Sequence, residues 1–124
     1  ALFRHRVLTV EENVENLQTF LDVLRTYNPD INLIVTVSPV PFMATGRADT
    51  QHVVNANAHS KAVLRVAAEN FCAANKGVYY FPSYEMVMHC LREPWEADQR
   101  HVKRSAVAEI MKLFEAMFVI NRDT

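Results

Sequence analysis

Residues 31–37, with the sequence INLIVTV, place the strongest constraint on the fold of this chain. The segment is rich in β-branched residues, and it is apolar at consecutive positions from Leu33 to Val35. This pattern is typical of a parallel strand that helices cover on both faces. The strand ends at Ser38 and Pro39, so the sequence predicts an α/β fold built around a short buried strand.

A helix is predicted immediately before this strand. Thr9 and Glu12 have the spacing of a capping box, in which each side chain bonds the backbone N–H of the other residue. The helix therefore begins near Val10. Apolar residues then recur at steps of three and four until Pro29, which disfavours helical geometry at the residue before it.

The segments after the strand complete a strand–helix–strand unit. Residues 40–52 are predicted to be a long loop and residues 54–75 a helix. Residues 78–83 (VYYFPS) are predicted to be a second strand, which ends at Pro82 and Ser83. A short helix capped by Ser83 and a last helix over residues 103–119 follow. The order α-β-α-β-α predicts parallel strands joined by a right-handed crossover.

Two strands are fewer than the roughly five or six of a typical sheet. Either residues 3–9 (FRHRVLT) add a third strand, or the missing strands belong to another chain or to a segment before Ala1. We therefore expect residues 1–124 to form a single domain or a domain fragment. We also expect it to form an oligomer or to pair with an N-terminal segment.

Composition excludes several classes of partner. Thirteen basic and fourteen acidic residues give a formal net charge of −1. The chain therefore lacks the excess of positive charge that binds nucleic acid or an anionic membrane. The apolar stretches are far shorter than the roughly 20 residues of a membrane span. Cys72 and Cys90 are expected to be free thiols, and without a signal peptide the sequence favours the cytoplasm.

An Asp-x-x-His pair stands before the last helix, where Asp98 precedes His101. A carboxylate that binds one ring nitrogen orients an imidazole and leaves the other nitrogen available as a general base. The spacing alone is a weak signal, because Asp49 and His52 repeat it in the long loop. Position favours Asp98 and His101, since the pair follows the last strand at the sheet edge where open α/β folds bind ligands.

Other residues are weaker candidates. Ser38 has the exposure of a nucleophile but also ends a strand, and Cys90 beside His89 does not form a dyad, because neighbours on a helix point about 100° apart. Without a clustered ligand motif we expect no metal and no cofactor. Three residues are possible substrate contacts: Trp95, Ser38 and His52.

Several stretches resemble the C-terminal portion of the GSCFA family, which is part of the wider SGNH or GDSL-like hydrolase group. The most specific are VTVSPVP, HSKAVLR and YYFPSYE, followed by ADQRH around His101. The resemblance implies a three-layer α/β/α flavodoxin-like fold, of which this chain is the C-terminal part. It also implies a site in which Asp98 and His101 supply two members of a Ser-His-Asp triad.

The Gly-Ser-Cys motif for which the family is named does not occur in this sequence. The resemblance therefore implies that the nucleophilic serine lies before residue 1, and that residues 1–124 alone are inactive. The implied substrate of the longer protein is an ester, such as an acyl or acetyl group on a carbohydrate. The alternative is a non-enzymatic module that pairs through its open sheet edge.

Overall fold

A computed structural model describes residues 5–119 of the chain. They form two compact units: residues 5–37 with 41–80, and residues 38–40 with 81–119. The first unit contains both strands and two long helices, and the second contains the remaining helices. Within residues 5–119, no helix combines the length and the apolar character needed to cross a bilayer.

Helix α1 spans Val10–Tyr27 and begins with the predicted capping box. The Thr9 hydroxyl accepts a hydrogen bond from the Glu12 N–H at 3.2 Å, and the Glu12 carboxylate accepts one from the Thr9 N–H at 2.8 Å. Arg6 also hydrogen-bonds Glu12, and this contact is the main reason that the pKa of the Glu12 carboxyl lies below its ordinary value. The predicted helix start is therefore confirmed.

Strand β1 (Leu33–Val35) and strand β2 (Val78–Tyr80) pair in parallel, with Leu33 opposite Val78. Helix α2 (Val53–Ala74) connects them, as the strand–helix–strand prediction requires. The turn into β2 depends on Gly77, whose φ of +77° is costly for a residue with a side chain. The Gly77 carbonyl accepts a hydrogen bond from the Leu33 N–H at 2.9 Å, which ties the two strand starts together.

One face of the sheet carries the core of the first unit. Leu21 of α1, Phe71 of α2 and Val78 of β2 are buried together, and neighbouring apolar residues pack against them: Leu17, Ile31, Leu33, Val35 and Cys72. On the other face, Ile34 is 37% exposed and its cross-strand partner Tyr79 is 48% exposed. The described residues thus cover one face of β1 well, whereas the sequence predicted cover on both faces.

The described sheet has two strands. Residues 5–9 of the predicted third strand are not in a strand, and residues 3 and 4 lie outside the described part of the chain. An α/β architecture is confirmed, with a small parallel sheet and amphipathic helices. The three-layer flavodoxin-like arrangement stays a prediction, as does the assignment of residues 1–124 to one domain.

The second unit begins with helix α3 (Ser83–Glu85), which continues as a π-helical turn over Met86–Cys90. The Leu91 N–H donates to the Met86 carbonyl at 2.9 Å, a five-residue step that widens the helix. Ser83 is the first helical residue and Pro82 takes the N-cap position, so the predicted Ser83 cap is wrong. Helix α4 spans Arg104–Phe118, within one residue of the prediction at each end.

Aromatic contacts hold helix α4 in the second unit. The Phe81 ring lies edge-on to Phe114 and Phe118, with centroid distances of 5.3 and 6.1 Å. Phe114 and Phe118 are one helical turn apart and also contact each other at 5.2 Å. Such ring clusters add stabilisation beyond the burial of apolar area. They fix the helix that follows the Asp98–His101 loop.

Candidate functional site

The loop that contains the Asp-x-x-His pair is a closed hairpin. Its ends are joined because the Lys103 N–H donates to the Pro94 carbonyl at 2.7 Å and the Glu96 N–H donates to the His101 carbonyl at 2.8 Å. Trp95 and Val102 form an antiparallel bridge between these two bonds. Helix α4 starts directly after the hairpin, so the loop is anchored to a regular element.

A tight turn forms the tip of this hairpin. The Gln99 N–H donates to the Glu96 carbonyl at 2.9 Å, and Gln99 has a φ of +55° in the left-handed region. A residue with a side chain adopts this region at a cost, and the surrounding hydrogen bonds hold it there. The reversal of the chain at Gln99 directs the next two backbone N–H groups towards Asp98.

The Asp98 carboxylate binds three donors from its own loop. One oxygen accepts from the Arg100 N–H at 2.9 Å and from the His101 N–H at 3.0 Å, and the other contacts Nδ1 of the His101 ring. These bonds lower the pKa of Asp98 from its ordinary 3.8 to about 2; the His101 N–H contributes most, followed by the His101 ring and the Arg100 N–H. Asp98 is therefore ionised at neutral pH.

The contact with Asp98 defines the chemistry of His101. In the neutral ring, Nδ1 carries the proton that is donated to the carboxylate, and Nε2 is left as the acceptor. The His101 side chain is 70% exposed, and no other group among residues 5–119 hydrogen-bonds its ring. The arrangement can take a proton on Nε2 and stabilise the resulting imidazolium.

The other predicted site residues have different surroundings. Trp95 is half-buried in the same hairpin as Asp98 and His101. Ser38 is exposed, and its hydroxyl accepts a hydrogen bond from the Val40 N–H at 3.3 Å, as in a turn that ends a strand. The predicted substrate contacts of Trp95 and Ser38 remain predictions.

His52, the third predicted substrate contact, caps a helix. Its ring nitrogen Nδ1 accepts a hydrogen bond from the Val54 N–H at 3.3 Å, which satisfies one backbone donor at the start of α2. Among the described residues, its ring makes no hydrogen bond to Asp49. The structure thus joins only one of the two Asp-x-x-His pairs, and a substrate contact of His52 stays a prediction.

Sequence reasoning did not single out Lys61, which is buried on α2 with 6% of its surface exposed. Burial lowers the pKa of its ammonium group, which lies 6.0 Å from the centre of the Phe42 ring. The Phe42 N–H in turn donates to the Asn57 side chain at 3.1 Å. The sequence feature that could have identified Lys61 is a lysine one helical turn after Asn57, on a helix that is otherwise largely apolar.

Comparison with known proteins assigns the chain to a family. The family model described as "GSCFA family" matches residues 1–114. No curated protein and no solved structure matches the chain significantly. The matched region includes the first unit and the whole Asp98–His101 hairpin of the second, and it covers nearly all of the 124 residues. The chain belongs to the GSCFA family.

Proposed function

We propose that Asp98 and His101 are the acid–base half of an SGNH-like ester hydrolase. One observation carries this proposal: the Asp98 carboxylate binds both the backbone N–H and the ring Nδ1 of His101, which fixes the imidazole with Nε2 as a base. A carboxylate bound to Nδ1 holds the tautomer and the orientation that a histidine general base needs. The resemblance to SGNH-like hydrolases supports the same roles.

In the proposed reaction, a serine hydroxyl attacks the ester carbonyl while His101 Nε2 takes the hydroxyl proton. Ionised Asp98 stabilises the imidazolium that forms. Collapse of the tetrahedral intermediate breaks the bond to the alcohol oxygen, and His101 returns the proton to that leaving group. Water then attacks the acyl-enzyme while His101 Nε2 takes a proton from it. His101 returns this proton to the serine oxygen as the carboxylic acid leaves.

The proposal takes the nucleophile from sequence before residue 1. No serine, threonine or cysteine side chain among residues 5–119 hydrogen-bonds the His101 ring. By resemblance, the serine would be that of the family's Gly-Ser-Cys motif, and the substrate an acyl or acetyl ester on a carbohydrate. Trp95, half-buried in the same hairpin, is the side chain we propose to contact the substrate.

The proposed complete fold is a three-layer α/β/α domain. Each of the two described strands has a neighbour on one side only, so further parallel strands can extend the sheet. Ile34 and Tyr79 form an exposed apolar pair on the sheet face opposite the core, which a further helix layer would cover. Both features support an incomplete sheet within residues 5–119.

The test is hydrolysis of an aryl acetate by the longer protein that contains the Gly-Ser-Cys motif. We expect His101→Gln to lower kcat/KM by at least about 100-fold, because general base catalysis contributes roughly 10²–10⁴-fold. His59→Gln is the matched control, since His59 is an exposed residue of α2. Equal rates for His101→Gln and the wild type would rule out the assigned role.

A second candidate function is a non-enzymatic module that pairs with another chain through its sheet edge. The two-stranded sheet and the exposure of Tyr79 favour this alternative. Sedimentation of the longer protein separates the two: a stable oligomer with no esterase activity in wild type or variants would favour the module. An active protein sensitive to His101→Gln would favour the hydrolase.

A further inference from the structure

A cavity of about 380 Å³ lies in the first unit. Its lining comes from residues 5–8, from Asn13 of α1, from Phe42 and residues 44–47 of the following loop, and from Ser60, Val63 and Leu64 of α2. Its volume is within the range of about 300–1,000 Å³ typical of pockets for small ligands. None of the lining residues has a role in the proposed hydrolysis, so the cavity is a separate candidate binding site.

The lining of this cavity combines positive charge with apolar surface. His5, Arg6 and Arg47 contribute the basic groups, and no carboxylate among the described residues lines the cavity. The apolar part includes the Phe42 ring and the side chains of Val63 and Leu64. Pockets of this mixed type bind a ligand's apolar body and orient it by a few polar groups.

Arg6 and Arg47 differ in the state of their charges. Arg6 already pairs with Glu12 in the first turn of α1. Arg47 is half-buried, and within residues 5–119 it makes no ion pair; its side chain reaches only the Ala56 carbonyl, at 3.5 Å. Its Nε is buried without a hydrogen-bond acceptor. A guanidinium in this state lacks the partner that a carboxylate supplies through two parallel hydrogen bonds.

The backbone around Arg47 is well fixed. Its N–H donates to the Thr45 hydroxyl at 3.2 Å, and its carbonyl accepts from the N–H groups of Thr50 and Gln51 at 3.0 and 2.8 Å. At Gly46, an added Cβ would lie 2.8 Å from Cγ of the His5 ring. The loop therefore packs directly on His5, and its hydrogen bonds fix the Arg47 backbone before any ligand binds.

We propose that this cavity binds a small carboxylate that carries an apolar chain. The carboxylate pairs with the Arg47 guanidinium, and the chain lies against Phe42, Val63 and Leu64. The unpaired guanidinium accounts for the charge of the ligand, and the apolar lining accounts for its chain. The inference does not rest on the proposed hydrolase, and its test measures binding rather than turnover.

Isothermal titration calorimetry of the wild-type protein with three ligands tests the chemistry. We expect hexanoate to bind at least about tenfold tighter than hexanamide, which lacks the charge, since a charged hydrogen-bond partner is typically worth that much. We also expect it to bind tighter than acetate, which lacks the chain. Undetectable binding of hexanoate, or equal affinity for hexanamide, would overturn the proposal.

A pair of variants tests the location. Arg47→Gln and Arg92→Gln each remove one positive charge, but Arg92 is an exposed residue that does not line the cavity. We expect Arg47→Gln to weaken hexanoate binding by about tenfold or more, and Arg92→Gln to leave it within about twofold. An equal change in both variants would indicate general electrostatics and overturn the assignment to Arg47.

Circular dichroism and thermal unfolding establish whether each variant is folded. If Arg47→Gln does not fold, Arg47→Lys is the second variant, because it keeps the charge but loses the planar pair of donors. We then expect Arg47→Lys to bind hexanoate more weakly than the wild type does. The same variant should still bind hexanoate more tightly than it binds hexanamide. Affinity equal to that of the wild type would contradict the two-bond contact with Arg47.

Discussion

Two loops of this chain carry Asp-x-x-His with the same spacing, and they differ in structure. In the hairpin before α4, the Asp98 carboxylate hydrogen-bonds the backbone and the ring of His101. In the loop before α2, His52 bonds the Val54 N–H instead, and Asp49 makes no hydrogen bond to its ring among the described residues. Spacing permits the pair, and local competition for hydrogen bonds decides whether it forms.

The two aspartates differ in the backbone N–H groups that are available to them. Near Asp49, the Gln51 N–H, which corresponds to the Arg100 N–H of the hairpin, donates to the Arg47 carbonyl at 2.8 Å instead of to the carboxylate. Near Asp98, the reversal at Gln99 leaves the N–H groups of the next two residues for the carboxylate. The turn geometry therefore determines which aspartate orients a histidine.

The two Asp-x-x-His pairs should differ most in their effect on catalysis. In the longer hydrolase that we propose, Asp98→Asn should lower kcat/KM for an aryl acetate by at least about 100-fold, because the amide cannot stabilise the imidazolium. Asp49→Asn is the matched variant, and we expect it to retain the wild-type rate. Comparable losses in the two variants would show that the observed difference in hydrogen bonding has no catalytic meaning.

The pKa of Asp98 offers a test that needs no substrate. Carboxyl NMR of the wild-type chain should show Asp98 titrating near 2, below its ordinary 3.8. His101→Ala removes the ring contact but keeps the backbone donors, so the pKa should rise only part of the way towards 3.8. A wild-type Asp98 that titrates at its ordinary value would contradict the closed hairpin.

The same shift links folding to pH. Because the pKa of Asp98 is lower in the folded protein, its contribution to stability is fully present above about pH 4. That contribution is lost as the pH falls towards 2. Urea unfolding between pH 5 and pH 2 should therefore show a smaller acid-induced loss for Asp98→Asn than for the wild type. Equal losses would indicate that the carboxylate is not specifically bound.

The smallest expected effect concerns the cap of α2. His52→Ala removes the acceptor for the Val54 N–H, and we expect it to lower the free energy of unfolding by about 1 kcal/mol. His59→Ala, at an exposed position within the same helix, should leave stability unchanged or slightly raise it. Urea unfolding measures both. No difference between the two variants would show that His52 is not a functional cap.

Local patterns in the sequence predicted much of the fold. The capping box of Thr9 and Glu12 placed the start of α1, because all its hydrogen bonds join residues three positions apart. Gly77 marked the end of α2 and the turn into β2, because its φ of +77° is a local backbone conformation that favours glycine. The number of strands and the cover over Ile34 depend on distant partners, which a local pattern does not specify.

Within the candidate site, the sequence predicted the pair but not what fixes it. The left-handed conformation of Gln99 has no signature, because glutamine is not a residue that favours it. The sequence did not indicate the buried Lys61 or the Arg47 guanidinium, which makes no ion pair within the described part of the chain, since charged side chains on helices and in loops are usually solvated. Each depends on neighbours that only the folded chain supplies.

The closed hairpin has a consequence for how such a site can be moved between proteins. Within residues 5–119, every hydrogen bond of Asp98 and of His101 has both partners between Pro94 and Lys103. The orientation of the imidazole is thus carried by one continuous peptide. Grafted onto any pair of backbone positions at the spacing of its two ends, that peptide would bring an oriented base with it.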